Sequence, residues 1–191
     1  MNATMKYIIS IIITILLFSS ANTAFCQKMF YTHEGFISFY SKAPLEDIEA
    51  KNNNVSSVIN IETGEIKFKV MNHRFIFPNA TMQEHFNENY METQKYHTSD
   101  FSGRIMDFAN VDLKKDGTYN VTITGDLTIH GKTQKVTHKG VIVRSGESIT
   151  ADAKFKIKVA DYDIKIPTLV IKNIAEEVDV TVKMKYKPTM K

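Results

Sequence analysis

Residues 118–130 alternate with a period of two. Tyr119, Val121, Ile123, Leu127 and Ile129 fall on one face, and Thr118, Asn120, Thr122, Thr124, Asp126 and Thr128 on the other. That is the period of a β-strand with one dry and one wet face; a helix would scatter the same residues around its circumference. Gly125 falls on the apolar face and marks a bend or bulge. Residues 149–159 repeat the pattern, with Ile149, Ala151, Ala153, Phe155, Ile157 and Val159 set against Asp152, Lys154, Lys156 and Lys158. Residues 178–186 repeat it again, from Val178 to Tyr186. Tight glycine turns separate the runs: Thr63-Gly64-Glu65, Lys115-Asp116-Gly117, His130-Gly131-Lys132 and Ser145-Gly146-Glu147. Alternating runs joined this way are antiparallel hairpins. The reading gives eight strands, at about 36–42, 55–62, 65–72, 98–108, 118–130, 134–144, 148–159 and 177–187. A sheet of that size closes on itself or splits into a sandwich, because open edges recruit other chains.

One segment departs from period two. Met82, Phe86 and Tyr90 are spaced by four, with Met91 beside them, and Asn79 after Pro78 is a good N-cap. The spacing predicts a short amphipathic helix near 79–94, with Gln83, Glu84, Asn87, Glu88 and Glu92 on its wet side. The expectation is therefore an all-β domain with one helix acting as a lid or plug. A second irregular stretch, 161–176, is rich in Ile, Leu and Val around Pro167 and is expected to pack over a barrel end.

The start of the chain reads as an address. Lys6, the apolar run from Ile8 to Phe18 and the polar, small-residue stretch from Ser19 to Ala24 form a cleavable leader, residues 1–26. The run is too short for a stable transmembrane anchor, which needs about 20 apolar residues. A cut before Gln27 leaves one domain, residues 27–191, destined for the periplasm or for secretion. Cys26 also invites a lipoprotein anchor, but Phe25 stands where that processing needs a small residue, so the anchor is set aside.

Composition narrows the function. Lys and Arg number 24 against 21 Asp and Glu, and a net charge of +3 leaves no footprint for nucleic acid. A single cysteine rules out a disulfide framework within the chain and a cysteine-based zinc site. None of the six histidines, 33, 73, 85, 97, 130 and 138, falls in a His-x-x-x-His or Glu-adjacent zinc pattern. His130 and His138 flank a hairpin and could face each other on its surface, a weak metal site at most and more often just two polar residues. Asp161 and Asp163 are two apart and could share a face, but such pairs are more often turn formers. No Gly-x-Ser-x-Gly elbow or phosphate-cradling glycine loop is present. An enzyme is not expected, nor a cofactor or metal.

Four segments carry a resemblance. They are Gly35-Phe36-Ile37-Ser38-Phe39; the run Met82 to Met91 continuing through Lys95-Tyr96 to Phe101-Ser102-Gly103; Gly125-Asp126-Leu127-Thr128-Ile129-His130-Gly131-Lys132-Thr133; and Ala160-Asp161-Tyr162-Asp163-Ile164. In this order the chain resembles the YceI-like family of secreted polyisoprenoid-binding proteins, over about residues 34–187. It departs from the family where His97 replaces a common Pro, where Tyr162-Asp163 replaces Phe-Gly, and in a Pro44–Ile48 insertion. The resemblance implies an eight-stranded antiparallel lipocalin-like barrel holding an isoprenoid-type lipid, a polyprenyl phosphate or an isoprenoid quinone.

Holding such a chain needs a dry tunnel, since each buried methylene contributes about 0.8 kcal/mol. The inward, bulky candidates for its wall are Phe39, Phe68, Met82, Phe86, Tyr90, Phe101, Ile105, Val121, Ile123, Phe155, Ile157 and Ile164. The same residues could fill a solid core, because small eight-stranded barrels can be packed by their own side chains. Arg74 and Arg104 are candidates for a head group, or simply solvated surface charges. Non-catalytic lipid carriage or storage is thus set against a solid barrel that works through its surface. A hydrolase or isomerase is the remote third reading.

Overall fold

The computed structural model describes residues 29–42, 47–166 and 175–189. The leader through Cys26, most of the Pro44–Ile48 insertion and the Pro167–Ile174 part of the apolar stretch lie outside the described residues.

Eight strands form a closed antiparallel barrel in which each pairs with its neighbour in sequence and β8 returns to β1. They are β1 Met29–Ser41, β2 Ile48–Asn60, β3 Glu65–Met71, β4 Thr98–Ile105, β5 Gly117–Ile129, β6 Lys132–Ser145, β7 Ser148–Lys158 and β8 Glu177–Pro188. Closure follows from the alternation: every strand has one apolar face, and a cylinder buries all eight without leaving an edge.

Six strands fall close to the expected positions, but β1 and β2 each begin seven residues earlier than the pattern suggests. In β2 the inward positions of the added part are Ala50 and Asn52, both fully buried. Asn52 is kept there by its own hydrogen bonds, Nδ2 donating to the Met71 carbonyl at 3.1 Å and Oδ1 accepting from the Asn54 amide at 2.9 Å. A small and a polar residue at core positions erase the apolar signal. In β1 the register against β2 shifts on both sides of Gly35, which changes the phase of the alternation within the strand.

The loops gather at two ends. The β2–β3, β4–β5 and β6–β7 connections and the strand termini Met29 and Pro188 close one end. Phe30, Val55, Ile59, Ile66, Ile105, Leu113, Val121, Ile142, Ile149, Met184 and Tyr186 pack there into a solid core. The fully buried Tyr186 hydroxyl meets Ser57 Oγ at 2.8 Å, and Ser57 Oγ donates to the Lys67 carbonyl at 2.8 Å. Burial drives the Tyr186 phenol far above its usual range.

The other end carries the helix. Asn79 caps α1, Ala80–His85, with Oδ1 accepting from the Thr81 and Met82 amides at 2.8 and 3.4 Å. The helix then widens into a π-helical turn over Phe86–Tyr90, closed by the Met91 amide on the Phe86 carbonyl at 2.8 Å. Gln83, expected on the wet side, is half-buried. It ties the helix to the chain before it, its amide donating to the Phe75 carbonyl at 2.5 Å and accepting from the Phe77 amide at 3.2 Å.

Candidate functional site

The half of the barrel beneath the helix is hollow. A cavity of about 490 Å³ lies between the strands and the α1 segment, within the range of pockets that hold one small molecule. Its lining is overwhelmingly apolar. Ten of the twelve expected wall residues border it: Phe39, Phe68, Met82, Phe86, Tyr90, Phe101, Ile123, Phe155, Ile157 and Ile164. Ile105 and Val121 do not. Their alternation is inward, as read, but they sit in the packed end, 2% and 5% exposed, where Leu113, Ile142 and Ile149 fill the barrel around them. Strand parity fixes which way a side chain points and says nothing of the depth at which the barrel is empty.

The ceiling is a cluster of four phenylalanines. Phe86 from the π-helical turn stacks on Phe39 of β1 at 5.7 Å between ring centroids and meets Phe77 at 5.0 Å and Phe75 at 5.7 Å. Phe39 also contacts Phe75 and Phe77, at 5.3 and 5.8 Å. Phe75 and Phe77 were not among the expected wall residues. Their signal was the Phe-x-Phe just before Pro78, too short to read as a strand, and the chain there makes only one isolated bridge, Lys51 to Ile76.

Arg74 and Arg104 are both exposed, and neither borders the cavity. Arg104 is on the outer face of β4, between Glu65 and Thr124 of its neighbours. Arg74 lies in the 3-10 turn Asn72–Arg74, facing solvent. The head-group roles considered for them have no support in this geometry.

The two hairpin histidines do not face each other. His138 is an inward position of β6, opposite Ile123 of β5, and its ring lies flat on Phe155 at 4.1 Å and 15°. It borders the apolar cavity, as does His85 of the helix, and burial pulls the His138 pKa below the ordinary value, toward the neutral form. His130, eight positions away at the hairpin turn, is buried and clasps three segments together. Its Nε2 meets Glu92 Oε2 at 2.8 Å, its Nδ1 meets the Tyr162 carbonyl at 3.2 Å, and its ring packs on Tyr96 at 4.2 Å. Three of the four non-glycine residues with positive φ sit in this clasp: Glu92, His130 and Asp163. Asp163 pairs with Lys132 at 2.7 Å, which holds its carboxyl below the usual range. Asp161 is exposed, and its carbonyl accepts from Gln134. The two aspartates shape the turn after β7.

Among the described residues no three His, Cys, Asp or Glu side chains converge as metal ligands, and no helix is long and apolar enough to cross a membrane. What the arrangement offers chemically is a mostly apolar, aromatic-roofed chamber beneath a short helix.

Comparison with known proteins agrees with this geometry. The model of the YceI-like domain matches residues 29–186. No curated protein matches the chain in sequence. Among solved structures, a polyisoprenoid-binding domain from Saccharophagus degradans superimposes with a TM-score of 0.73 at 17% identity, covering 84% of this chain and 98% of its own. Burkholderia cenocepacia BcnA does so at 0.66 and 19%, covering 79% and 95%. A Campylobacter jejuni YceI protein does so at 0.59 and 14%, covering 74% and 85%. At these identities the structures speak for the fold, and the domain match speaks for the family: this chain belongs to the YceI-like family.

Proposed function

We propose that the protein binds an isoprenoid-type lipid in the barrel and carries or stores it outside the cytoplasm, without catalysis. One observation carries the reading: an apolar cavity of about 490 Å³ occupies the helix-side half of a barrel whose other half is solid. A core built only for stability would close such a void, since empty volume in a core costs stability. The family adds support, because one structural neighbour is itself a polyisoprenoid-binding domain. The leader-like residues 1–26 support the location. The ligand is a polyprenyl phosphate or an isoprenoid quinone; both pair a branched apolar chain with a small polar head. Burial of the chain supplies the gross driving force, and ordering of chain and protein offsets most of it.

The test is to purify the protein without detergent from its native host, extract it with organic solvent and identify co-purified lipids by mass spectrometry. Native mass spectrometry of the intact complex gives the stoichiometry. One equivalent of an isoprenoid lipid is expected. A protein that emerges empty and takes up no added isoprenoid would refute the reading.

A further inference from the structure

The barrel wall has a seam. Between Gly140 and Ser145, β6 pairs with Ser148 to Ala153 of β7. Toward the helix end the two strands run on to Lys132 and Lys158, but there, among the described residues, β6 pairs with β5 alone and β7 with β8 alone. Among the described residues the facing edges of 132–139 and 154–158 thus have no partner strand, and their backbone polar groups need another partner.

Charge and stacking mark the point where the strands part. Continuing the register one step past Gly140 and Ala153 sets Lys139 across from Lys154, with both side chains on the outer face. Neither forms an ion pair among the described residues. Like charges across adjacent strands repel. Nearby, Lys135 is neutralised by Asp126 and Lys156 by Glu177 and Asp179. Asp152 lies on the paired side of the fork, across from Lys183. On the inner face, one position further along, His138 stacks on Phe155. Lys139, Ala153 and Val182 border both the central cavity and a groove on the outer surface, so the two spaces adjoin at the fork.

We propose that this seam is the site of the ligand's head group, that the head group is an anion of the phosphate type held by Lys139 and Lys154, and that the chain extends from there into the cavity. The inference rests on the lipid-binding reading above and adds the head group's chemistry and place. A phosphate relieves the lysine repulsion and accepts hydrogen bonds from both ammonium groups and from the open strand edges. An uncharged quinone ring would leave that repulsion in place. His138, on the inner lip, has an N–H to offer the same oxygens.

The test compares geranylgeranyl phosphate, geranylgeraniol, the hydrocarbon phytane and inorganic phosphate on the purified protein, with affinities from native mass spectrometry and competition. The phosphorylated lipid is expected to bind about tenfold or more tightly than the alcohol. That preference should shrink as salt is raised. Lys139→Gln with Lys154→Gln should abolish it by lowering the affinity for the phosphate to that for geranylgeraniol. Lys185→Gln with Lys187→Gln, an equal loss of charge elsewhere on the outer face, should preserve it. Because these lysines are exposed, the melting temperature of each variant should match the parent, and the preference in the unaltered protein is decisive on its own. Equal affinity for phosphate and alcohol, or a preference that survives loss of Lys139 and Lys154, overturns the seam site and leaves lipid binding standing. Inorganic phosphate binding as tightly as the lipid phosphate overturns it in favour of a free-anion site. Failure of all three isoprenoids to bind refutes the lipid reading itself.

Discussion

His138 shows how far a single residue can depart from its sequence context. Between Thr137 and Lys139 it reads as one more polar residue of a hairpin, yet parity turns it inward onto Phe155. Burial favours its neutral form, so its pKa in the folded protein lies below the ordinary 6.5. The unfolded chain then binds the proton more readily. The stability this group confers is complete above about pH 6.5 and is lost as the pH falls toward the folded pKa. His138→Phe should therefore melt with less acid sensitivity than the parent when scans at about pH 7.5 and about pH 5 are compared. An identical acid-induced drop in both proteins would show that His138 does not titrate on unfolding. Gly125 was read as a bend or bulge from a glycine on an apolar face, but the register of β5 runs through it unbroken, and what the glycine permits is close approach. It faces Gly103 across β4 and β5, and a Cβ there would lie 2.5 Å from the Gly103 Cα and 2.7 Å from the Phe101 ring. Backbone cannot step aside as a side-chain end can, so Gly125→Ala should cost about 1–3 kcal/mol in chemical denaturation. Inward orientation was readable at Ile105 and Val121 as well, but their depth in the barrel was not. Depth depends on which strands lie alongside, and no local pattern encodes that.

At the scale of elements, the strands that announced themselves carry bulky apolar residues at every second position, and those that did not carry Ala50, Asn52 or the Gly35 bulge. The helix was legible from Met82, Phe86 and Tyr90, but its attachment was not, because the clasp joins residues from three distant parts of the chain. Glu92 ends the helical segment, His130 makes the β5–β6 turn, and Tyr162 follows β7. No single window of sequence contains that contact. The lid is also tied to the barrel by Asn72, whose Nδ2 donates to the Tyr96 carbonyl at 2.8 Å and whose Oδ1 accepts from Ser99 at 2.8 Å. With Asn72 intact, removing the clasp should loosen the lid without opening the barrel. Glu92→Ala leaves the buried His130 with one partner fewer, at a cost of about 1–2 kcal/mol. Hydrogen exchange should then quicken about tenfold in 79–97 while β5 and β8 keep their protection. Uniform acceleration across the strands would instead make the clasp a support of the whole fold.

At the scale of the molecule, the barrel is divided into a packed half and a hollow half. The closed end, with Tyr186 and Ile59 among its fully buried side chains, holds the cylinder together. The helix end is left hollow and roofed by rings drawn from the lid segment and β1. On the proposed reading this division separates stability from binding, so a substitution in the roof should act on one without the other. Phe86 is the informative position: it touches Phe39, Phe75 and Phe77, is only half-buried, and borders the cavity. A larger ring there can grow into the hollow, where a bound chain would lie. The packed end, which supplies most of the buried apolar contacts, is untouched by the change. Phe86→Trp should therefore reduce uptake of an added isoprenoid by about tenfold, equivalent to roughly 1.4 kcal/mol, and shift the denaturation midpoint by less than that. The new tryptophan is also the chain's only one, so its fluorescence reports occupancy directly in the variant, with co-extracted lipid quantified in both proteins. Loss of stability and uptake in equal measure would mean that the roof and the core form one cooperative unit. Unchanged uptake would mean that the chain lies clear of Phe86, deeper toward Phe101 and Phe155.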